Sequence, residues 1–379
     1  MKFKITSFLL GVALAVAGPA AQLAHAQTLF PNGGLAVSQQ FGLNQTDVFT
    51  VDENQKLTVF SVDGGGAWHG GEEIGPPILV SGSLLAASQQ FGLNQTDVFS
   101  VDENGQLEVY SVSSRGAWQG PKKVGPSGLF LPGCQVVASQ QFGLTQTDVF
   151  AVDKNGQLEV FWVGTGAWQG PQKIGAPVFG AGSSGFIAAG RQVGLNQTDV
   201  FLVDEYGQLD VFWVDGGGAW QGPQKIGPAG LAQPENTPIA VSPQFGLNQT
   251  DIFLFDTTGQ LYVFWADGGG AWGGPEKIGS PQLSEREGFV AASQQIGLNQ
   301  TDVFAANSDG QLEVYWVDGG GAWGGPEAIG PAGFATGVSA VGQQIGLNQT
   351  DAFIIDEAGH LDVYWVVGGG AWNGPLAIN

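Results

Sequence analysis

The sequence predicts an all-β fold, a seven-bladed β-propeller with four antiparallel strands per blade. Three observations carry this. A phrase close to FGLNQTDVF recurs seven times and places Asp47, Asp97, Asp148, Asp199, Asp251, Asp302 and Asp351 at intervals of 49 to 52 residues. A second marker, Gly-Ala-Trp, runs in step with it and places Trp68, Trp118, Trp168, Trp220, Trp272, Trp323 and Trp372. Each unit also breaks into four short segments rich in Val, Ile, Phe, Tyr and Trp, with no sustained 3.6-residue apolar period. Repeats of about 50 residues mark solenoids, propellers or arrays.

The elements follow in chain order. Residues 1–26 read as a secretory signal peptide. Lys2 and Lys4 precede the apolar run SFLLGVALAVAG, and Ala24-His25-Ala26 supplies the cleavage site. The run is too short to span a bilayer comfortably, so the expectation is a secreted (extracellular or periplasmic) chain cleaved near Ala26. Residues 27–379 then form one propeller domain. The first strand of each unit carries small residues, as in AVSQQ, AASQQ and VASQQ, which suit the crowded centre of a propeller. The corner FGLNQ leads into the second strand, TDVFAVD in the third unit. The turn DKNG at 153–156 leads into the third strand, GQLEVFWV. Both faces of these two strands are apolar, as a sheet sandwiched between two others requires. A glycine-rich turn, VGTG or DGGG, then precedes Gly-Ala-Trp and the fourth strand. That strand carries Gly-Pro in six units and Gly70-Gly71 in the first. Proline cannot donate to a ladder, so the fourth strand belongs at the outer edge. The chain opens on a first strand (35–39) and ends on a fourth (375–379). Closure is therefore expected from blade 7 packing on blade 1, with no strand exchanged.

Composition narrows the function. The whole chain carries 12 basic and 34 acidic residues; without Lys2 and Lys4 the charge is −24. Such a surface repels nucleic acid and anionic lipid, and no second stretch resembles a membrane span. The single cysteine, Cys134, excludes an internal disulfide and reads as a small buried apolar residue. Beyond the leader there are two histidines, His69 and His360, in unrelated places. No nucleophile triad, metal spacing or phosphate loop accompanies them, so no catalytic residue, metal or cofactor is expected. The VDENG turns offer two or three oxygens where calcium needs about six and read as hairpin turns. The aspartate after Gln-Thr reads as an acceptor for turn amides. The sequons at Asn44, Asn94, Asn196, Asn248, Asn299 and Asn348 read as turn chemistry, the third unit having Thr145 instead.

Tryptophan is the sharper signal. Besides the seven above, Trp162, Trp213, Trp265, Trp316 and Trp365 end the third strand of units 3–7, where units 1 and 2 have Ser61 and Ser111. Two readings stand: core packing, or a half-exposed apolar plate for the C–H face of a sugar. The composite unit TDVF-x-VD-x-x-G-Q-L-x-V-F-W-V-x-G-x-G-A-W-x-G-P-x-x-I-G resembles the repeat of the PLL-like lectins. These are bacterial seven-bladed propellers that bind fucose and O-methylated sugars in pockets between blades. The resemblance spans residues 30–379. It implies a carbohydrate-binding protein with all twelve tryptophans as pocket candidates and fucosylated or O-methylated glycans as partners. Ser61, Ser111 and Gly70-Gly71 depart from the pattern. A protein-binding scaffold and, less favoured, a glycoside-active enzyme are the competing readings. The sequence marks no oligomer interface.

Overall fold

The computed structural model describes residues 29–379 apart from 32, 65, 91, 115, 142, 245, 269, 282–288, 296, 336–339 and 345–346. The leader read at 1–26 lies outside the described residues. The rest forms 28 strands in seven four-stranded antiparallel sheets, each built from strands consecutive in the chain. In blade 1, β1 (Ala36–Gln39) is followed by β2 (Gln45–Val51), β3 (Leu57–Asp63) and β4 (Trp68–Ile74). Blade 3 repeats this with β9 (Val136–Gln141), β10 (Gln146–Val152), β11 (Leu158–Val163) and β12 (Gln169–Lys173). No described helix is long and apolar enough to cross a membrane.

The first strands line the axis, as their small residues predict. β1, β5 (Ala86–Gln90), β9, β13 (Ile187–Gln192), β17 (Ile239–Gln244), β21 (Val290–Gln295) and β25 (Ala340–Gln344) touch in a closed ring, β25 meeting β1. Glutamine amides stitch this ring. Gln39 Nε2 donates to Gln343 O (3.0 Å), Gln89 to Gln39 O (2.8 Å), Gln343 to Gln294 O (2.9 Å) and Gln294 to Pro243 O (3.3 Å). Gln140 likewise donates to Gln89 O.

The core is not one mass but seven seams. Alternate residues of the middle strands face opposite neighbours. Phe161 packs into the seam between blades 2 and 3, while Val160 and Trp162 pack into the seam between blades 3 and 4. Phe49, Phe99, Phe150, Phe201, Phe253 and Phe304 are fully buried, each contributing about 1.5–3 kcal/mol on removal from water.

The turns explain other repeated letters. Asp102 Oδ1 accepts the backbone N–H groups of Asn104 and Gln106, both at 2.8 Å. The VDENG carboxylates thus serve the turn itself. Gln106 Nε2 crosses to the carbonyl of Val124 (2.7 Å) and ties that turn to the end of the outer strand. The Gly-Pro pairs of the outer strands are cis and coincide with a register shift against the third strand. Cys134 is buried, and burial pushes its thiol up to about 12.

The seventh seam closes without strand exchange, as expected. The strand bounds differ slightly from expectation, Ala36–Gln39 at the start and Asn373–Ala377 (β28) at the end. After blades 1, 2, 3, 4 and 6 the segment between blades bonds to the turn of the blade it leaves, as Leu79 N–H does to Gln55 O (3.1 Å) and Phe130 N–H to Gly105 O (3.2 Å). At the seventh, Leu29 takes that place and donates to Gly359 O of blade 7 at 3.0 Å. Asn379 Nδ2 donates to the same carbonyl at 3.0 Å.

Candidate functional site

Blade 3 shows how the repeat assembles a site. The hairpin register sets Asp148 of β10 opposite Trp162 of β11 and opposite Ser139 of β9. Trp162 in turn pairs with Gln169 of β12. These side chains stand on the face turned toward blade 4. There a cleft of about 190 Å³ opens at the end of the propeller that carries the FGLNQ corners and the glycine turns. Blade 3 lines it with Gln141, Leu144, Gln146, Asp148, Trp162 and Gln172; blade 4 adds Val214, Gly217, Gly218 and Trp220.

Trp220 reaches the cleft because of the turn before it. Gly216 and Gly217 of DGGG have φ of 37° and 87°, a region that disfavours residues with a side chain. The indole then stands edge-on against Phe150 of blade 3, with centroids 5.3 Å apart and planes at 84°. The same pair recurs at every seam. Phe49 meets Trp118, Phe99 meets Trp168, Phe201 meets Trp272, Phe253 meets Trp323 and Phe304 meets Trp372. Phe353 of blade 7 meets Trp68 of blade 1 and completes the circle. All seven tryptophans are half-buried.

The third-strand tryptophans, also half-buried, meet them across five seams. Trp162 shares a seam with Trp220, Trp213 with Trp272, Trp265 with Trp323, Trp316 with Trp372 and Trp365 with Trp68. The other two seams hold Trp118 and Trp168. There Ser61 and Ser111 sit opposite Asp47 and Asp97 in the register.

The floor is polar and identical throughout. Gln146 Nε2 donates to Asp148 Oδ1 (2.7 Å) and to Gln141 Oε1 (2.6 Å). The same three residues repeat as Gln40-Gln45-Asp47 through Gln344-Gln349-Asp351. The expectation that this aspartate accepts turn amides is therefore corrected: its partner is a glutamine side chain two residues earlier. The second oxygen, Oδ2, is buried with no hydrogen-bond partner among the described residues in all seven blades. Burial raises the Asp148 carboxyl to about 7 against the lowering effect of Gln146. Asp97, Asp199, Asp251, Asp302 and Asp351 are likewise raised to about 7, and Asp47 to about 6. Near neutral pH such a carboxyl both donates and accepts. It complements a hydroxyl, which also does both.

The outer wall varies. The position of Gln172, opposite Val160, is Glu72, Lys122, Gln224, Glu276, Glu327 and Leu376 in the other blades. The seven seams thus share this polar triad and vary at the outer position, where only Gln172 and Gln224 agree.

No sequence profile of a known protein family matches the chain, and no curated protein does. Solved structures do. The BP39L lectin from Burkholderia pseudomallei is 46% identical with a TM-score of 0.88, covering 92% of this chain and 100% of its own. This chain belongs to the BP39L lectin family. More distant lectins share its propeller architecture, one of them with six blades. The SapL1 lectin, solved with α-methyl fucoside, is 19% identical with a TM-score of 0.56, over 81% of this chain and 99% of that one. The fucose-specific six-bladed lectin of Aleuria aurantia is 19% identical with a TM-score of 0.53, over 79% and 96%. The BP39L family is one of lectins, not enzymes.

In this BP39L-family chain all twelve tryptophans named from sequence lie in seams between blades. The residues that sequence reading missed are the floor: Gln141, Gln146 and Asp148, with Leu144 above them. The FGLNQTD corner, expected to be scaffold, lines the cleft. Counting outward from the DKNG turn pairs Asp148 with Trp162, so the signal was present in the hairpin. The sequon asparagines are exposed. Their side chains pack above the glycines of neighbouring turns; a Cβ on Gly268 would lie 1.9 Å from Asn248 Nδ2. His360 bonds Asp356 (3.0 Å) within the turn between the second and third strands of blade 7.

Proposed function

We propose that the chain is an exported, multivalent lectin of the PLL-like kind that holds fucosylated or O-methylated glycans in the clefts between blades. The observation that carries this is the cleft between blades 3 and 4, where Trp162, Trp220 and the buried Asp148 converge. An apolar plate takes the C–H face of a pyranose ring or a methyl group, and the carboxyl takes a ring hydroxyl. Five seams carry two indoles and two carry one, which divides the ring into two classes of site. Membership of a lectin family supports the reading, as does the recognition of fucose by distant lectins of propeller architecture.

A glycan array with the mature protein tests it. Binding is expected to concentrate on fucosylated or methylated glycans. Uniform silence of the array, with a folded protein confirmed by its melting transition, would sink the proposal. Trp162→Ser copies the residue of blades 1 and 2 and so respects the fold. It is expected to move that one cleft into the one-indole class and weaken its sugar binding, leaving the melting transition in place.

A further inference from the structure

The two seams with a single indole differ from the other five in their turns as well. The turn before Trp118 reads SSRG and that before Trp168 reads GTG, where the other blades have DGGG or VGGG. At the five two-indole seams the corner leucine of one blade lies against the glycine turn of the next. A Cβ on Gly217 would lie 3.5 Å from Leu144 Cδ1, and one on Gly320 would lie 3.3 Å from Leu247 Cδ2. Between blades 2 and 3 the shortened turn instead brings Gly164 O to Gln90 Nε2 at 3.3 Å. Ser111 stands there in place of the second indole, so a hydroxyl replaces an apolar wall.

A cation stands at the rim of this seam. Lys122 pairs with Val109, and Ser111 pairs with Asp97, so the register puts all four side chains on one face of blade 2. Val109 packs in one cluster with Trp168 of blade 3, which fixes that face as the one turned toward blade 3. In blade 3 the counterparts of Lys122 and Val109 are Gln172 and Val160, and both line the cleft. Lys122 is exposed and makes no ion pair among the described residues. Its charge is felt on the floor: burial raises the Asp97 carboxyl to about 7, with the Gln95 amide and then Lys122 pulling it down. In the neighbouring one-indole seam the same position is Glu72. There burial raises Asp47 to about 6, Gln45 pulling it down and Glu72 adding to the rise. The other blades place Gln172, Gln224, Glu276, Glu327 and Leu376 at this position, none of them a cation. Blades 2 and 3 are also the least acidic sector of the ring. Residues 86–175 hold five basic residues against seven acidic ones, where the chain beyond Lys2 and Lys4 holds 10 against 34.

We propose that the seam between blades 2 and 3 takes a sugar bearing an anionic substituent, a carboxylate or a sulfate, held by Lys122 beside Trp168, Ser111 and Asp97. The indole takes the C–H face of the ring. The Ser111 hydroxyl and the Asp97 carboxyl take ring hydroxyls, and the ammonium takes the anion as a point charge. Lys123, the next residue, points the other way. It pairs with Glu108, which shares a face with Tyr110, and Tyr110 packs in the seam with blade 1. One cation, and not the charge of the whole strand, therefore sets the preference. Glu72 keeps an anion out of the seam between blades 1 and 2, which is otherwise built alike. The inference rests on the lectin reading and refines one of its seven sites.

Calorimetric titration with methyl glycosides tests it. Methyl galacturonide and methyl galactoside 6-sulfate carry the anion at C6, and methyl galactoside is their neutral partner. At least one acidic member is expected to bind at one site per chain, about tenfold tighter than the neutral one, and to weaken as salt rises. Which of the two does so names the anion. Lys122→Gln, which copies the residue of blades 3 and 4, is expected to erase the difference, and Lys123→Gln to keep it. Glu72→Lys, which copies blade 2 into blade 1, is expected to raise the acidic sites from one to two. Equal binding of acidic and neutral members overturns the proposal. So does an advantage that survives Lys122→Gln or falls with Lys123→Gln, or a Glu72→Lys chain with no second site. Methyl α-fucoside bound by the unaltered protein in the same titrations keeps the lectin reading standing in each of those cases. Silence toward fucoside and acidic sugars alike would overturn both.

Discussion

A buried carboxyl that costs stability when charged is a strange thing to keep in every blade. Its value lies in being a fixed floor between indoles. Its cost fixes a pH dependence. The Asp148 class sits at about 7 when folded against 3.8 ordinarily. Between those values the folded chain holds protons that the unfolded chain releases, so stability falls as pH rises from about 4 to about 7 and then levels off. Glu108 and Glu159, raised to about 7 by burial, act in the same direction. The melting temperature is therefore expected to be higher at pH 5 than at pH 8. Asp148→Asn should raise the pH 8 value and leave the pH 4 value unchanged, while removing sugar from the cleft between blades 3 and 4. A melting temperature that rises with pH over this range would contradict the assignment.

At the scale of the element, each blade is held by contacts that reach across its own turns. Gln157 Nε2 donates to Ile174 O at 2.9 Å, as Gln106 does to Val124 O. Gln106→Ala is expected to cost about 1–3 kcal/mol, since it strands buried carbonyls; urea unfolding measures it. Gly156 has φ of 76°, and a Cβ there would come within 2.0 Å of Phe179 O. Gly156→Ala should cost more than about 1 kcal/mol, read in the same way. Strand number, order and inner-to-outer direction were all legible in the chain. Period, small residues and Gly-Pro each report a steric demand that acts locally. The pairing of Trp162 with Trp220 was not legible, because the two belong to different sheets and only ring geometry brings them together. The role of Asp148 was missed for a related reason. A short polar residue beside a turn reads as turn chemistry, until the strand opposite shows which way it faces.

At the scale of the molecule, all seven seams repeat the indole and the Gln-Gln-Asp triad at the same end. On the proposed function a glycan-coated surface engages several seams at once, which raises apparent affinity by about 10²–10⁴ without a new contact. Surface plasmon resonance on a dense fucosylated layer is expected to show dissociation slower by that order than on a sparse one. Equal rates on both layers would mean that sites do not act together. The variable rim, from Glu72 and Lys122 to Leu376, lets the seven seams prefer different neighbours of the same sugar.

The seventh seam holds one more consequence. Leu29 and Asn379 meet on a single carbonyl, that of Gly359. The two ends of the described chain are therefore neighbours, and the place where the ring is cut is a matter of history, not of mechanics. A gene reordered to join these ends through a short linker and to open between any other two blades should still build the same wheel.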